Sequence, residues 1–298
     1  MKIKTYLILS GAFLFLFSCG KNEKQLVEEN APSLAVQSES PKAVEKLIFK
    51  KSEYIIPSDE LDLNLLKKTA ENLKIKYTAI KTEDVSSIRY NENVTFFVIS
   101  IIDKSAKAKS KEEDLGNYYE RKYVFVNSED GKILHEETDK NLGYYENEGL
   151  RAAKTYILKD LLQLNDKTPA IALSTEVYSN SRVVMYSEEK FTILTFDGKQ
   201  MKKVLYEYPI RSANGDSNGG GTYQIETLET GISISDTQTN GFYDLMVSKI
   251  YSYEDAVEED LANDIQQKSD LKVKKEFQRL KFDGKTYLFN KDDRSRFL

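Results

Sequence analysis

Three short stretches restrict the fold more than anything else in this chain. Val124-Phe125-Val126-Asn127-Ser128-Glu129-Asp130-Gly131-Lys132-Ile133-Leu134 reads as strand, turn and strand. The pattern returns at Thr192-Ile193-Leu194-Thr195-Phe196-Asp197-Gly198-Lys199-Gln200-Met201, and again at Arg279-Leu280-Lys281-Phe282-Asp283-Gly284-Lys285-Thr286-Tyr287-Leu288. An Asp-Gly pair between alternating apolar runs signals a hairpin, because the tight turn needs positive φ and glycine accepts it without a steric penalty. Three such turns in matching context leave two readings open: an internal repeat, or recurrent use of one good turn.

Each turn is preceded by further strand candidates. Tyr77-Thr78-Ala79-Ile80 and the apolar run Val94 to Ile102 lead into Lys122 to Val126. Ala170 to Val177 and Val183 to Tyr186 lead into Phe191 to Phe196, and Tyr223 to Ile234 and Phe242 to Tyr253 lead into Phe277 to Phe282. Their Tyr, Phe, Val, Ile and Thr suit pleated, half-buried surfaces. Short helices are expected at Leu61 to Leu73, after a cap at Ser58, and at Asp255 to Gln267, where Val257, Leu261 and Ile265 share a face. Leu150 to Leu164 reads as helix or strand. The class is therefore mainly β, with antiparallel meander repeats and two or three short helices. The architecture is either β-propeller-like or two stacked β domains.

The amino terminus carries a different kind of signal. Lys2 and Lys4 precede a mostly apolar run from Tyr6 to Phe17, about a dozen residues, which suits a signal-peptide core and is too short to span a bilayer as a helix. It ends in Leu16-Phe17-Ser18-Cys19-Gly20. This resembles the lipobox of bacterial lipoproteins, of a Bacteroidota-like kind, although Phe17 departs from the usual small residue at that place. The resemblance implies cleavage after Ser18, diacylglycerol on the Cys19 thiol, and an acyl chain such as palmitate on the new amino terminus. Gly20 in place of Asp implies the outer membrane, by analogy with sorting in Gram-negative bacteria, and leaves the periplasmic and surface faces open. Residues 1–18 are thus read as signal peptide. Residues 19–46, rich in Glu, Lys, Ser, Gln and Ala with Pro32 and Pro41, read as a lipidated, disordered tether. Residues 47–298 read as a β-rich globular region, divisible at 47–145 and 146–298.

Composition narrows the function classes. The formal net charge is −5, which argues against non-specific nucleic-acid binding and against electrostatic adhesion to anionic lipid. Cys19 is the one cysteine, so no intrachain disulfide forms and no thiolate nucleophile remains. His135 is the one histidine, which rules out a two-histidine metal site, and it is expected at a surface or strand edge. No H-E-x-x-H, G-x-S-x-G or phosphate-cradling loop occurs. Among 48 acidic residues no motif nominates a catalytic pair, although paired carboxylates would suffice for glycoside hydrolysis.

One stretch has ligand-like spacing. Asn214-Gly215-Asp216-Ser217-Asn218-Gly219 places oxygen-bearing Asn214, Asp216 and Asn218 at alternate positions before a glycine, and so resembles the start of a calcium-binding loop. An EF-hand loop would need Glu at the position held by Ile225; the plainer reading is a polar connection. Asp236 to Leu245 shares Asn240-Gly241 and Asp244-Leu245 with the calcium loop and strand of FG-GAP repeats, and otherwise reads as an Asn-Gly turn entering a strand. The tyrosine clusters Tyr118-Tyr119, Tyr144-Tyr145 and Tyr251-Ser252-Tyr253 suit strand packing or a partner's edge. The acidic runs Glu112-Glu113-Asp114 and Glu258-Glu259-Asp260 suit solvated faces.

The expectation is a membrane-anchored cell-envelope lipoprotein acting as a non-enzymatic binding or interaction module. It has no required cofactor, and its partner is an envelope protein or glycan. The alternatives are a calcium-stabilised adhesion module, with Ca2+ at Asn214, Asp216 and Asn218, and a carbohydrate-active hydrolase. Cys19→Ala should move the chain from the membrane pellet to the soluble fraction on cell fractionation; an unchanged pellet would contradict lipid attachment at Cys19.

Overall fold

The computed structural model describes residues 54–103, 118–145, 150–179, 181, 183–219, 221–258 and 267–290. The signal peptide, Cys19 and the tether lie outside the described residues, as does the acidic run at 112–114. In chain order the elements are β1 (Tyr54–Ile55), α1 (Leu63–Asn72), β2 (Ser86–Asn91), β3 (Val94–Ile102), β4 (Tyr118–Asn127) and β5 (Ile133–Tyr145). They continue as β6 (Leu150–Leu158), β7 (Leu162–Asn165), β8 (Thr168–Ser179), β9 (Val184–Phe196) and β10 (Met201–Ser217). The last three are β11 (Tyr223–Thr239), β12 (Phe242–Val257) and β13 (Lys268–Leu280).

All pairings among the described residues are antiparallel. The chain is mainly β, and its strands form two sheets. A four-stranded sheet runs β2-β3-β4-β5, and a nine-stranded sheet runs β1-β6-β8-β9-β10-β11-β12-β13 with β7 alongside β8. Among the described residues this is a pair of unequal meanders and not a ring of repeated blades. The four-stranded sheet falls within 47–145, whereas β1, from the same stretch, crosses to pair β6.

The apolar run of β3 is continuous because both its faces are covered. On one face Phe97, Ile99 and Ile101, with Val124 and Val126 of β4, pack on Leu65, Leu66 and Ala70 of α1. On the other, Phe96 and Val98, with Tyr123 and Phe125, pack on Ile157, Ile171, Leu173, Leu194 and Phe196 of the larger sheet. A strand sandwiched this way reads as an unbroken apolar segment rather than an alternating one. A third cluster lies on the larger sheet itself, where Phe191, Ile193, Tyr208, Ile232, Leu245 and Val247 meet Phe282 and Tyr287 beyond β13.

The join between the sheets is aromatic. The Phe125 and Phe196 rings stack with centroids 4.2 Å apart and an 11° interplanar angle, and Tyr90 stands edge-on to both. The Tyr90 hydroxyl sits 2.9 Å from the Pro169 carbonyl and 3.0 Å from that of Phe196, so its one proton is donated to backbone of the opposite sheet. Burial is the main cause that raises the Tyr90 pKa above its ordinary value, which keeps that proton in place.

The local elements follow their chemistry. Helix α1 starts at Asp62, whose carboxylate accepts from the Asn64 and Leu65 N–H groups at 3.0 and 2.9 Å. The expected cap, Ser58, stands four residues upstream of it with φ 67°, its N–H donating to the Val85 carbonyl at 2.8 Å. That is a correction: Asp62 outcompetes it by reaching the first free N–H groups. The helix ends with Lys74 in the left-handed region and the Ile75 N–H returning to the Ala70 carbonyl at 3.0 Å.

The ambiguity at 150–164 resolves to strand, β6 and β7. The helix expected over Asp255 to Gln267 is corrected at its start: Asp255 to Val257 close β12 against Asp270 to Lys268, and residues 259–266 lie outside the described residues. Pairing along the full β12–β13 ladder outweighs the helical spacing of Val257, Leu261 and Ile265.

The three Asp-Gly-Lys turns are not equivalent. At Asp197 and Asp283 the carboxylate accepts from the N–H groups two and three residues on, and the turn closes to Gln200 and Thr286 respectively. Gly198 and Gly284 supply the positive φ, at 92° and 98°. The first hairpin has a longer loop, closed by the Asn127 N–H donating to Lys132, with Gly131 against α1. A Cβ on Gly131 would stand 2.9 Å from Lys68 Cβ, so this glycine serves helix docking as well as turning.

Phe125→Ala should lower the unfolding free energy by about 3–5 kcal/mol in a denaturant titration, as expected for a buried aromatic. Tyr90→Phe, which keeps the ring, should cost only about 0.5–1.5 kcal/mol.

Candidate functional site

Strands β9 to β12 run well past the apolar core, and their far stretches carry polar side chains. Pro209 stands where the pairing of β10 with β9 is irregular. A proline lacks the N–H that a central ladder uses, and so marks bulges and irregular pairing. Register shifts between β10 and β9 fall between Lys203 and Leu205, Leu205 and Tyr208, and Pro209 and Arg211. Within them Glu207 holds a left-handed backbone with φ 56°, its N–H donating to Thr192 Oγ1 at 3.1 Å. A non-glycine residue at such φ is held there by its surroundings, and bulges of this kind re-aim side chains beside binding sites.

Beside this irregular pairing lies an open groove of ≈ 590 Å³. Tyr186, Glu188 and Lys190 come from β9, Glu207 and Asn214 from β10, Glu226 from β11 and Tyr251 from β12, with Phe289 from the carboxy-terminal segment. Phe289 is fixed edge-on to the buried Tyr208 ring, at 4.7 Å between centroids. Lys190 Nζ lies 3.2 Å from Glu188, and the Tyr186 hydroxyl donates to the same carboxylate at 3.4 Å. Burial and then the Glu188 charge raise the Tyr186 pKa, so the phenol stays a neutral donor. Three carboxylates and one lysine line the groove, with Glu188 paired to that lysine and Glu226 buried. Such a lining offers hydrogen-bond acceptors and aromatic edges to a ligand rich in donors, and disfavours an anion.

A second, smaller cavity of ≈ 430 Å³ forms where two Asp-Gly-Lys turns meet, lined by Asp197, Gly284 and Lys285 with Phe242 and Phe282 beneath. The Phe242 and Phe282 rings stack at 4.3 Å. Asp197 and Asp283 have pKa values below the ordinary carboxyl value, chiefly because the turn N–H groups bond their charged forms.

The residues singled out by sequence fall as follows. Asn214 and Asp216 lie within β10, opposite Glu226 and Gln224 of β11, so the expected loop is strand there. Gly215 between them lies so close to β11 that a Cβ would stand 2.0 Å from the Gln224 carbonyl oxygen. Asn218 lies in the turn beyond, where its Oδ1 accepts from the Thr222 N–H at 3.3 Å. Extended backbone carries Asn214 and Asp216, two apart in β10, about 6.8 Å along the strand. Calcium ligands must converge within about 2.5 Å of one ion. The structure therefore brings Asn214 to the groove and leaves Asp216 and Asn218 outside its lining.

Asn240 and Gly241, at φ 51° and 88°, make the tight turn between β11 and β12. Asp244, fully buried, accepts from Arg279 Nε at 2.7 Å. His135 sits half-buried on β5, the edge strand of the smaller sheet. Tyr119 and Tyr251 are buried. Glu258 accepts from the Gly221 N–H at 2.8 Å. Residues 259 and 260 of that acidic run, and Cys19, lie outside the described residues.

Sequence reasoning passed over Glu188, Glu207, Glu226 and Tyr186. The one available signal was Pro209 inside a strand-like run. No family model matches the chain, and no curated protein and no solved structure matches it. Among the described residues no cluster of three or more His, Cys, Asp or Glu side chains is placed to hold a metal ion.

Because Asn214 and Asp216 are spread along an extended strand and Asn218 lies in the turn beyond it, thermal melts in excess calcium and in chelator should give the same midpoint. A calcium-dependent rise of several degrees would show that a cation gathers them.

Proposed function

We propose that the chain is a non-enzymatic binding module of the cell envelope, held at the outer membrane by lipid on Cys19, and that the groove on the nine-stranded sheet takes a neutral or amine-bearing glycan. The observation that carries this reading is Glu207. It is a carboxylate kept in a left-handed backbone at irregular pairing of β10 with β9, and it lines a groove that also gathers Glu188, Glu226, Asn214 and Tyr186. Carboxylates and an amide accept from sugar hydroxyls or ammonium groups, while tyrosine edges cover the apolar ring faces. The excess of carboxylates over lysine in the lining is what selects against sulfated or uronic sugars.

The test is glycan-array binding of the purified chain followed by titration calorimetry. Neutral or amino-sugar oligosaccharides should be retained and acidic ones rejected. Glu207→Gln and Tyr186→Ala should each weaken binding at least tenfold, with far-ultraviolet circular dichroism unchanged. Lys285→Ala, at the smaller cavity, should leave affinity as it was. Indifference to the groove substitutions would remove the site, and cleavage of the bound glycan would replace a binding module with a hydrolase.

A further inference from the structure

The nine-stranded sheet ends in β13, 13 residues long, and its outer edge carries no partner strand among the described residues. Only Leu280 of this strand is buried. Leu271, Val273 and Phe277 are 60%, 52% and 64% exposed, and alternate positions put all three on one face. A long strand with an open edge and an apolar stripe is a template for pairing, which proteins normally blunt with charge or cover. Lysines at 268, 272, 274 and 275 blunt this one against indiscriminate partners.

The sequence of β13 is complementary to itself. In an antiparallel pair, side chains directly opposite lie on the same face, so a two-fold axis normal to the sheet must pass through one residue and its copy. With the axis at Lys274, Leu271 lies opposite Phe277 and Lys272 opposite Glu276, each contact occurring twice. Ser269 then faces Arg279, Asp270 faces Gln278, Val273 faces Lys275, and Lys274 meets its own kind. Moving the axis to Lys275 pairs Val273 with Phe277 and Lys274 with Glu276 but sets Leu271 against Arg279 and leaves Lys268 and Ser269 beyond the end of the partner strand, and moving it to Val273 sets Asp270 against Glu276. Cross-strand apolar and opposite-charge pairs stabilise a sheet and like charges oppose it, which disfavours the register at Val273, and only the register at Lys274, the midpoint of the strand, pairs all 13 residues, so it is the favoured one. We infer that β13 is a homodimer interface, in which two copies of the chain join edge to edge through β13 in this register and form one continuous sheet.

The paired length is roughly 44 Å at 3.4 Å per residue, and the exposed backbone edge gains a ladder of hydrogen bonds along it. The lysines keep out other strands, and Glu276 admits the matching one.

The test uses the full chain carrying Cys19→Ser, so that neither lipid nor detergent contributes to assembly. Sedimentation equilibrium at micromolar concentration should give twice the chain mass. Glu276→Lys should raise the dimer dissociation constant at least tenfold by setting lysine against Lys272, and combining it with Lys272→Glu should restore the dimer. Lys274→Cys, on the axis, should form an intermolecular disulfide under mild oxidation, whereas Lys268→Cys, far from its copy, should not. A monomer at all concentrations, or a charge-swapped double variant that stays dissociated, would overturn the interface. These residues are exposed, so circular dichroism should confirm that every variant is folded.

Discussion

The Phe125–Phe196 stack, with Tyr90 edge-on to both rings and bonded to backbone across the interface, is where two independently paired sheets become one unit. Neither sheet buries both faces without the other. The smaller one is closed on its far side by a single helix of ten residues, which leaves the Phe96, Val98, Tyr123 and Phe125 face to the larger sheet. Hydrophobic area rather than covalent linkage holds this arrangement, since the only cysteine is Cys19. A few buried aromatics therefore carry a disproportionate share of the stability, and the order of layers follows from them: helix, four-stranded sheet, nine-stranded sheet.

Away from that seam the larger sheet changes character. β10 and β11 each run 17 residues and β12 runs 16, longer than the core beneath them. Their outer stretches are held by ladder hydrogen bonds, cross-strand polar contacts such as Thr227 with Ser252, and ion pairs. Here the exposed polar side chains alternate with buried ones such as Leu228 and Tyr251. A groove lies beside the irregular pairing around Pro209, and among the described residues β13 ends the sheet. Both surfaces thus arise from one cause, strands that extend beyond the core that organises them.

Elements set by near neighbours were legible in the sequence. The helix near 61–73 was visible from its spacing, and the Asp-Gly turns from the need for positive φ. The β3 run was visible as a strand, although its unbroken apolar character said nothing of which two layers cover it. The misreadings share a pattern. Ser58 and Asp62 are both plausible caps, and only the chain's route past Val85 decides between them. The helical spacing of Val257, Leu261 and Ile265 meets a β12 that continues through Val257. The oxygen ligands at 214–218 look like a loop until β9 and β11 pair with the strand on either side.

The sequence by itself determined the class, mainly antiparallel β, the positions of the tight turns, and Cys19 as the one residue where a thiol-linked lipid would sit. These rest on interactions within about four residues, or on composition, and both can be read along the chain. The tertiary structure alone decided that the thirteen strands among the described residues divide nine to four, that the matching turns at Asp197 and Asp283 approach one cavity, and that Glu188, Glu207 and Glu226 share a groove. Strand partnership is a long-range choice made by summed burial and register, and the local sequence around each glutamate holds no record of it.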